Sequence, residues 1–164
     1  MRVESESMTD TKIKKLIQIA FQAAQDVKGE SITLLDLVKV PSYTDYVLLV
    51  TANSDRQAKA IADRIVGDVF KKGKSHPLGI EGFESGEWIL IDFGDIVCHV
   101  FNEQLRKTYR LEDMWPQVRP MDEKSAEEFF SIKKKAVSKK SPSKKSAVKK
   151  VAVSKVRVRR AAKK

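Results

Sequence analysis

The chain has little of what enzymes and metalloproteins commonly use: 1 cysteine, 2 histidines and 7 glycines among 164 residues. Because Cys98 is the single cysteine, an internal disulfide is excluded and a reducing compartment is favoured. The glycines are scattered, and none forms a phosphate-binding loop between a strand and a helix. A structural metal needs about four suitably spaced ligands, and the sequence offers no such set. We therefore expect no metal and no cofactor.

Long apolar runs are also missing. None approaches the roughly 18–20 residues that a membrane-spanning helix needs. Residues 1–10, MRVESESMTD, are polar and partly acidic, unlike a secretory signal or a transit peptide. We expect a soluble, cytoplasmic protein that makes no contact with a membrane.

Acidic residues are absent from the end of the chain. From Ser131 onward there are 15 Lys and Arg and no Asp or Glu, so residues 1–130 hold the other 17 basic residues and all 22 acidic ones, a formal charge of −5. The apolar residues after Ile132 are small and cannot offset the entropy of ordering, about 1–2 kcal/mol per residue. We expect a disordered tail that contacts nucleic-acid phosphates by counterion release. It has no aromatic residue to stack on bases, so sequence selectivity is not expected.

The strongest local pattern is a predicted β-hairpin. Two apolar runs, residues 88–93 and 96–101, flank a Gly94-Asp95 link, and a two-residue link with glycine favours a tight turn between strands. Side chains alternate along a strand, so counting outward from the turn separates two faces. One face has no charge and is the predicted core: Ile89, Ile91, Phe93, Ile96, Cys98 and Val100. The other, here called the Trp88 face, resembles a recognition surface: Trp88, Leu90, Asp92, Val97, His99 and Phe101.

Two long amphipathic helices are predicted before the hairpin. Thr9 is expected to cap the first, whose apolar residues recur three and four apart until Gly29 supplies a left-handed C-terminal residue. Ser54 and Gln57 form a capping box for the second, which Gly73 ends. Asn102 is expected to cap a shorter helix after the hairpin.

Further strands are expected at residues 32–38, 46–52 and 78–81, and the last two flank the second helix in a right-handed parallel crossover. The predicted fold is therefore α/β, with a mixed sheet of four or five strands and the two long helices on one face. The Trp88 face would be left partly uncovered. We predict a disordered N-terminus at residues 1–8, a folded domain at 9–120 and a basic, mostly disordered tail at 121–164, with a short helix near its start.

The sequence gives little indication of a catalytic site. Cys98 and His99 are neighbours in a strand and point to opposite faces, so they cannot act as a nucleophile and its base. Asp92 and Asp95 are the best candidates for Mg²⁺, but Asp in a turn is favoured for its backbone hydrogen bonds, and Asp92 could instead orient His99. Trp88 fits two descriptions, a core residue and an interface anchor, since Trp is enriched at binding hot spots.

An ordered series of short motifs over residues 9–116 resembles the ribosomal silencing factor family, also called Iojap-like proteins. The matching residues are Leu35-Asp36-Leu37, Thr44-Asp45-Tyr46, Ser54-Asp55-Arg56-Gln57, Ile61-Ala62-Asp63, Leu78-Gly79-Ile80-Glu81-Gly82, Trp88 to Asp95, His99-Val100-Phe101, Arg106, Tyr109, Leu111, Glu112 and Trp115. The tail after Pro120 lies outside this pattern.

The resemblance implies a fold related to nucleotidyltransferases without their catalytic carboxylates, and a protein that is not an enzyme. It also implies binding to the large ribosomal subunit through large-subunit ribosomal protein fourteen, obstruction of small-subunit joining, lower translation when nutrients are scarce, and a homodimer when free. The partner-facing positions that it implies are Glu81, Trp88, Leu90, Asp92 and His99, with Arg106 and Tyr109 nearby.

Two other functions remain open at this point. A nucleotidyltransferase-type enzyme on the same fold would bind a nucleotide with Mg²⁺. A nucleic-acid-binding protein that acts through its basic tail would bind any duplex equally well. For the silencing factor itself, we expect the tail to add contacts with ribosomal RNA.

Overall fold

The computed structural model describes residues 3–138, and the side chains of residues 9–131. In chain order the elements are α1 (Val3–Asp26), β1 (Glu30–Asp36), β2 (Tyr46–Ala52), α2 (Asp55–Gly73), β3 (Gly79–Glu81), β4 (Trp88–Asp92), β5 (Ile96–Asn102), α3 (Glu103–Tyr109), a 3₁₀ helix (Leu111–Met114) and α4 (Glu123–Ser138). The five strands form one sheet in the order β1-β2-β5-β4-β3. β2 and β5 are parallel, and the other neighbouring pairs are antiparallel. This α/β architecture with a five-stranded mixed sheet confirms the predicted fold class.

The β-hairpin forms with the predicted register. β4 and β5 are antiparallel, with Trp88 opposite Phe101. At the turn, the Phe93 N–H donates to the carbonyl oxygen of Ile96 (2.9 Å). Gly94 has φ +87°, a conformation that glycine adopts without a steric penalty. The turn therefore fixes which side chains of both strands share a face.

The crossover after β2 does not return to the neighbouring position in the sheet. β3 points in the same direction as β2, because β3 is antiparallel to β4 and β4 is antiparallel to β5. The hairpin lies between them, so β3 becomes an edge strand. The general rule for crossovers fixes their hand and not the number of strands that they pass. β2 therefore has β5, and not β3, as its neighbour in the sheet.

α1 and α2 pack against the uncharged side of the hairpin, as predicted. The hairpin residues buried in this core are Ile89, Ile91, Ile96, Cys98 and Val100, with Phe93 partly buried at its border. β2 is buried along its whole length, which fits its central position and its run of Val and Leu. The Trp88 face lies on the opposite side of the sheet.

The second long helix ends at Gly73 as predicted, whereas the first differs from the prediction, since Gly29 is not its left-handed residue. The left-handed residues are Lys28 (φ +56°) and Lys74 (φ +55°), one place before Gly29 and one place after Gly73. Gly29 and Gly73 are needed because a side chain at either position would collide with a neighbouring residue. A Cβ atom on Gly73 would lie 2.3 Å from a methyl carbon of Leu16, so the glycine lets α2 approach α1 closely.

The N-terminal ends also differ. α2 begins as predicted, since the Gln57 N–H donates to the Ser54 hydroxyl (3.2 Å). α1 begins at Val3, so Thr9 lies inside the helix and does not cap it, and residues 3–8 are helical rather than disordered. Their acidic character is consistent with a helix start, because negative charge near a helix N-terminus is stabilising.

The packed region extends past the predicted boundary at residue 120. Met121 and Leu34 exchange two backbone hydrogen bonds of 2.9 Å each, which places the chain along the outer edge of β1. α4 follows and buries Ala126 completely. Phe130 meets Phe21 of α1 edge to face, with ring centroids 5.6 Å apart. The first part of the predicted tail is therefore a helix of the domain, and the tail prediction for residues 139–164 lies outside the described residues.

A substitution in α4 tests this boundary. Phe130→Ala removes a buried ring and should lower the free energy of unfolding by about 3–5 kcal/mol. Glu128→Ala, an exposed change two residues away on the same helix, is the control and should have little effect. The measurement is urea unfolding followed by circular dichroism. Equal unfolding midpoints for the two variants would contradict the packing of α4 on α1.

Candidate functional site

The Trp88 face is organised by a contact between its two polar aromatic residues. Trp88 and His99 project from neighbouring strands to the same side of the sheet, and the Trp88 Nε1–H donates to His99 Nδ1 (3.1 Å). Their ring centroids are 5.9 Å apart. The sequence left Asp92 as a residue that orients His99. That interpretation is wrong, because His99 is bonded by Trp88, while Asp92 Oδ1 accepts a hydrogen bond from the Gly94 N–H (2.7 Å).

The electrostatic state of His99 follows from its burial. Only 5% of the residue is exposed, and burial lowers the pKa of the imidazole to about 4. The ring is therefore neutral near pH 7, and since Nδ1 accepts a hydrogen bond, its proton resides on Nε2. A neutral, buried ring of this kind holds the indole of Trp88 in place. It is poorly suited to acid–base catalysis near neutral pH.

The Trp88 ring packs against two other aromatic rings, one on β5 and one on α3. Its ring stacks on Phe101 with centroids 5.8 Å apart, and Tyr109 of α3 lies against it at 4.9 Å. Phe101 is fully buried, Trp88 is half-buried, and 55% of Tyr109 is exposed. The two descriptions left open for Trp88 both apply, because one part of the indole packs and the other part reaches the surface.

Part of the Trp88 face is covered, which the sequence did not predict. The segment after β5 folds back over the sheet, and its apolar residues pack beside Phe101 in a second core: Leu105, Leu111, Trp115 and Val118. Phe101 is fully buried in this second core, and His99 and Val97 on the same face are also buried. Trp88 and Leu90 stay partly exposed, so the expectation of a partly open face holds for these two residues.

Arg106 is held by the fold on several sides. Its guanidinium donates to Thr51 Oγ1 (2.9 Å) and Thr33 Oγ1 (2.8 Å), and also to the carbonyl oxygen of Ser31. The Glu112 carboxylate accepts from Nε (2.8 Å) and pairs with Nη2 (2.6 Å). The Arg106 side chain is 12% exposed. It therefore ties α3 to β1, β2 and the 3₁₀ helix, and a direct partner contact by Arg106 stays a prediction.

The remaining predicted residues lie around the open part. Glu81 is exposed on the edge strand β3 and pairs in register with Leu90 of β4. Asp92 is half-buried at the end of β4. Tyr43, which the sequence did not single out, is 64% exposed and its ring lies 6.1 Å from that of Trp115. No sequence signal pointed to Tyr43, because it sits in an irregular loop that tertiary packing brings to this side.

The single cysteine and the buried histidine of the sheet lie apart. Cys98 is on the opposite side of the sheet from His99, as predicted, and complete burial raises the pKa of its thiol to about 12, so it is protonated and inert. Within the described residues, no three His, Cys, Asp or Glu side chains form a group that could hold a metal ion. No helix in the described part of the chain is long and apolar enough to cross a membrane.

Comparison with known proteins identifies the family. The sequence matches the model of the family described as "Ribosomal silencing factor during starvation" over residues 10–155. The chain belongs to the ribosomal silencing factor family. The match continues well beyond Pro120, so the expectation that the family pattern ends there is wrong. The family assignment itself confirms the resemblance that the sequence motifs indicated.

Individual relatives agree with this assignment. A ribosomal silencing factor from Chromobacterium violaceum is 36% identical over 108 residues, which cover 66% of this chain and 88% of that protein. The chloroplastic Iojap protein of Zea mays is 30% identical over 101 residues, 62% of this chain and 43% of that protein. A crystal structure of a Chromobacterium violaceum protein has a TM-score of 0.60 at 36% identity, covering 63% of this chain and 86% of that one. The relation to nucleotidyltransferases stays a prediction.

The role of Arg106 in this silencing factor can be separated from partner binding. Arg106→Lys keeps the charge and loses the planar set of donors, so Thr51, which is buried, and the partly buried Thr33 and Glu112 lose a donor. The free energy of unfolding should fall by about 2–3 kcal/mol. Arg110→Lys, the same change at a side chain that is 70% exposed, is the matched control. Urea unfolding measures both. If Arg106→Lys unfolds at the wild-type midpoint, the side chain does not hold α3 in place.

Proposed function

We propose that this silencing factor represses translation by binding the large ribosomal subunit through large-subunit ribosomal protein fourteen and blocking the joining of the small subunit when nutrients are scarce. The observation that carries the proposal is the exposed aromatic pair of Trp88 and Tyr109 on a rigid sheet. Tyr and Trp are enriched at the energetic centres of protein interfaces. Trp88 is already ordered by His99 and Phe101, so little conformational entropy is lost when a partner covers it.

The acidic residues near Trp88 and Tyr109 favour a basic partner. Glu81 and Asp92 lie on β3 and β4, Glu87 precedes Trp88, and Glu103, which pairs with Lys107, begins α3. None of these four residues is fully buried. Proteins that coat RNA carry Lys and Arg to neutralise phosphates. An acidic rim around an apolar centre is therefore complementary to a basic ribosomal protein, and complementary charge accelerates association and rejects wrong partners.

The proposed mechanism needs no chemistry. The Trp88 face docks on the ribosomal protein at the subunit interface, and the rest of the domain occupies space that the small subunit requires. Every element behind the face is packed: β4 and β5 rest on α1 and α2, and Arg106 fixes α3. A rigid body of this kind blocks an approaching subunit sterically, and its effect ends when it dissociates.

Two further contacts belong to the same proposal. The basic tail adds contacts with ribosomal RNA, and in the free protein a second copy covers the exposed aromatic residues in a homodimer. The 15 Lys and Arg after residue 130 support the first. The exposure of Tyr109 and Tyr43 on one side of the sheet supports the second, since exposed apolar patches commonly mark interfaces.

Tyr109→Ala tests the face. It should weaken binding to isolated large subunits about tenfold or more, because the phenol is part of the exposed anchor. The domain should remain folded, since Tyr109 is largely exposed. Phe70→Ala is the matched control, because Phe70 is an exposed aromatic residue (46%) on α2, which packs on the opposite side of the sheet. Affinity is measured by sedimentation with separated subunits. Equal binding of both variants would contradict the proposal that the Trp88 face binds the large subunit.

A truncation after Ser138 tests the RNA contacts and removes 12 Lys and Arg. Each phosphate contact contributes about 0.7–0.9 to the slope of log affinity against log salt, so the slope for large-subunit binding should become clearly shallower. Preference for the large over the small subunit should persist. If binding instead became indistinguishable from zero at low salt, the protein would be a nucleic-acid-binding protein that acts through its tail.

A further inference from the structure

A cleft of about 590 Å³ lies at the β1 edge of the sheet. The segment before α4 runs along this edge, with Met121 bridged to Leu34, and the cleft opens between that segment, the loop after β1 and α4. Its lining includes two cations, a carboxylate, a hydroxyl and an aromatic ring: Lys39, Arg119, Asp36, Ser125 and Phe129. A volume of this size is typical of small-molecule sites, which span about 300–1,000 Å³.

Backbone turns hold the two loops that form the walls of the cleft. The Val40 N–H donates to the carbonyl oxygen of Leu37 (3.0 Å), and the Val118 N–H donates to that of Trp115 (2.9 Å). Leu37 and Trp115 are themselves buried in the second core. The cleft is therefore formed before a ligand enters, and little conformational entropy is lost on binding.

The charged groups of the cleft do not neutralise one another. Among the described side chains, Lys39, Arg119 and Asp36 take part in no ion pair. Asp36 Oδ1 accepts the Val38 N–H (3.2 Å), which leaves the other carboxylate oxygen as an acceptor. Opposite charges that line one cleft without pairing suit a ligand that carries both an anionic group and a hydrogen-bond donor.

A buried hydroxyl beside the cleft also lacks a partner. Tyr46 is opposite Asp36 in the β1–β2 ladder, so both side chains project from the same side of the sheet. Its ring lies 6.5 Å from that of Phe129, and Asp36 contributes, after burial, to a raised pKa of its hydroxyl. Tyr46 is completely buried, and its hydroxyl makes no hydrogen bond within the described residues. Because an unpaired buried hydroxyl is costly, this side of the cleft favours a polar occupant.

We propose that this cleft binds a nucleotide. The phosphate lies between Lys39 and Arg119, since ammonium and guanidinium groups are common partners of phosphate oxygens. The base lies against the open part of the Phe129 ring, because stacking on an aromatic side chain is favourable for every base. Asp36 accepts a hydrogen bond from an amino group of the base. Its charge repels the phosphate, so the ligand enters in one orientation.

The role of Asp36 determines which bases bind well. Adenine, guanine and cytosine carry an exocyclic amino group that donates to a carboxylate, whereas uracil has a carbonyl oxygen in the corresponding place. We therefore expect adenosine 5′-monophosphate (AMP) to bind more tightly than uridine 5′-monophosphate (UMP). Adenosine lacks the phosphate and ribose 5-phosphate lacks the base, so each should bind more weakly than AMP.

The cleft is separate from the Trp88 face. β2 and β5 lie between β1, which borders the cleft, and β4, which carries Trp88. The inference therefore goes beyond the proposed function and does not depend on it. A free nucleotide and the terminal nucleotide of an RNA strand share the chemistry that the cleft recognises, and experiment distinguishes these two sources.

Photolabelling of the full chain with 8-azido-AMP tests the site. The basic residues after Ser138 attract phosphates without a defined site, so the position of the label must be read by mass spectrometry. We expect label within residues 36–46 and 117–129. AMP should protect these residues best, UMP less well, and adenosine and ribose 5-phosphate least. Label confined to residues after 131 would mean electrostatic attraction by the tail and would overturn the proposal.

Matched pairs of substitutions test the phosphate contacts. Lys39→Ala with Arg119→Ala should weaken AMP binding about tenfold or more, because two charge-assisted contacts are lost. Lys71→Ala with Arg56→Ala removes the same charges from exposed positions on α2 and should leave binding unchanged. All four side chains are exposed, so both variants should keep the wild-type midpoint in urea. Equal AMP affinity of the two variants would overturn the proposal.

Asp36→Asn tests recognition of the base. The amide oxygen still accepts the Val38 N–H, but the carboxylate that accepts from the amino group is lost. The preference for AMP over UMP should fall towards one, while binding of ribose 5-phosphate should not weaken. An unchanged preference would show that Asp36 does not read the base.

A hexamer of adenylate with a 5′-phosphate distinguishes the two sources of the ligand. Protection of the cleft by AMP assigns it to free nucleotides, and protection by the hexamer alone assigns it to an RNA end. Protection by neither would overturn the proposal. Tyr109→Ala should label as the wild type does, because Tyr109 lies outside the cleft. Failure of nucleotide binding and failure of the proposed ribosome contact are therefore separate results.

Discussion

The alternation of side chains along β4 and β5 is the constraint on which the rest of the structure depends. Because the Gly94 turn sets the register, every hairpin residue that faces α1 and α2 is uncharged. Trp88, Leu90, Asp92 and His99 are then forced to share the other side. A shift of one residue would bury a charge beneath the helices and expose Ile and Val, which the hydrophobic effect opposes strongly. The composition of the Trp88 face therefore follows from the requirements of the core.

The segment after β5 turns that face into a bounded site. It covers Phe101 with a second group of apolar residues, and Arg106 anchors it to β1 and β2 through side-chain and backbone acceptors. What stays open is a half-buried Trp88 with Tyr109 beside it. The same contacts that stabilise the second core therefore also place the aromatic pair.

The distribution of charge divides the molecule in another way. Residues 1–130 carry a formal charge of −5, whereas the rest of the chain holds 15 Lys and Arg and no Asp or Glu. In the proposed function, the acidic part meets a basic protein and the basic part meets RNA. Each part then carries the charge opposite to that of its partner.

The sequence by itself determined the local and periodic features. It gave the hairpin register, the Ser54 cap of α2, the uncharged core side of the sheet and the separation of Cys98 from His99, because each depends on neighbouring residues and on the two-residue repeat of a strand. The tertiary structure alone decided the features that join distant residues. These are the insertion of the hairpin between β2 and β3, the hydrogen bond of Trp88 with His99, the packing of the segment after β5 on Phe101, and the packing of Phe130 on Phe21. The physical reason is that periodicity shows which side of a strand or helix is buried, whereas the element that buries it is chosen by packing and hydrogen bonding over the whole chain.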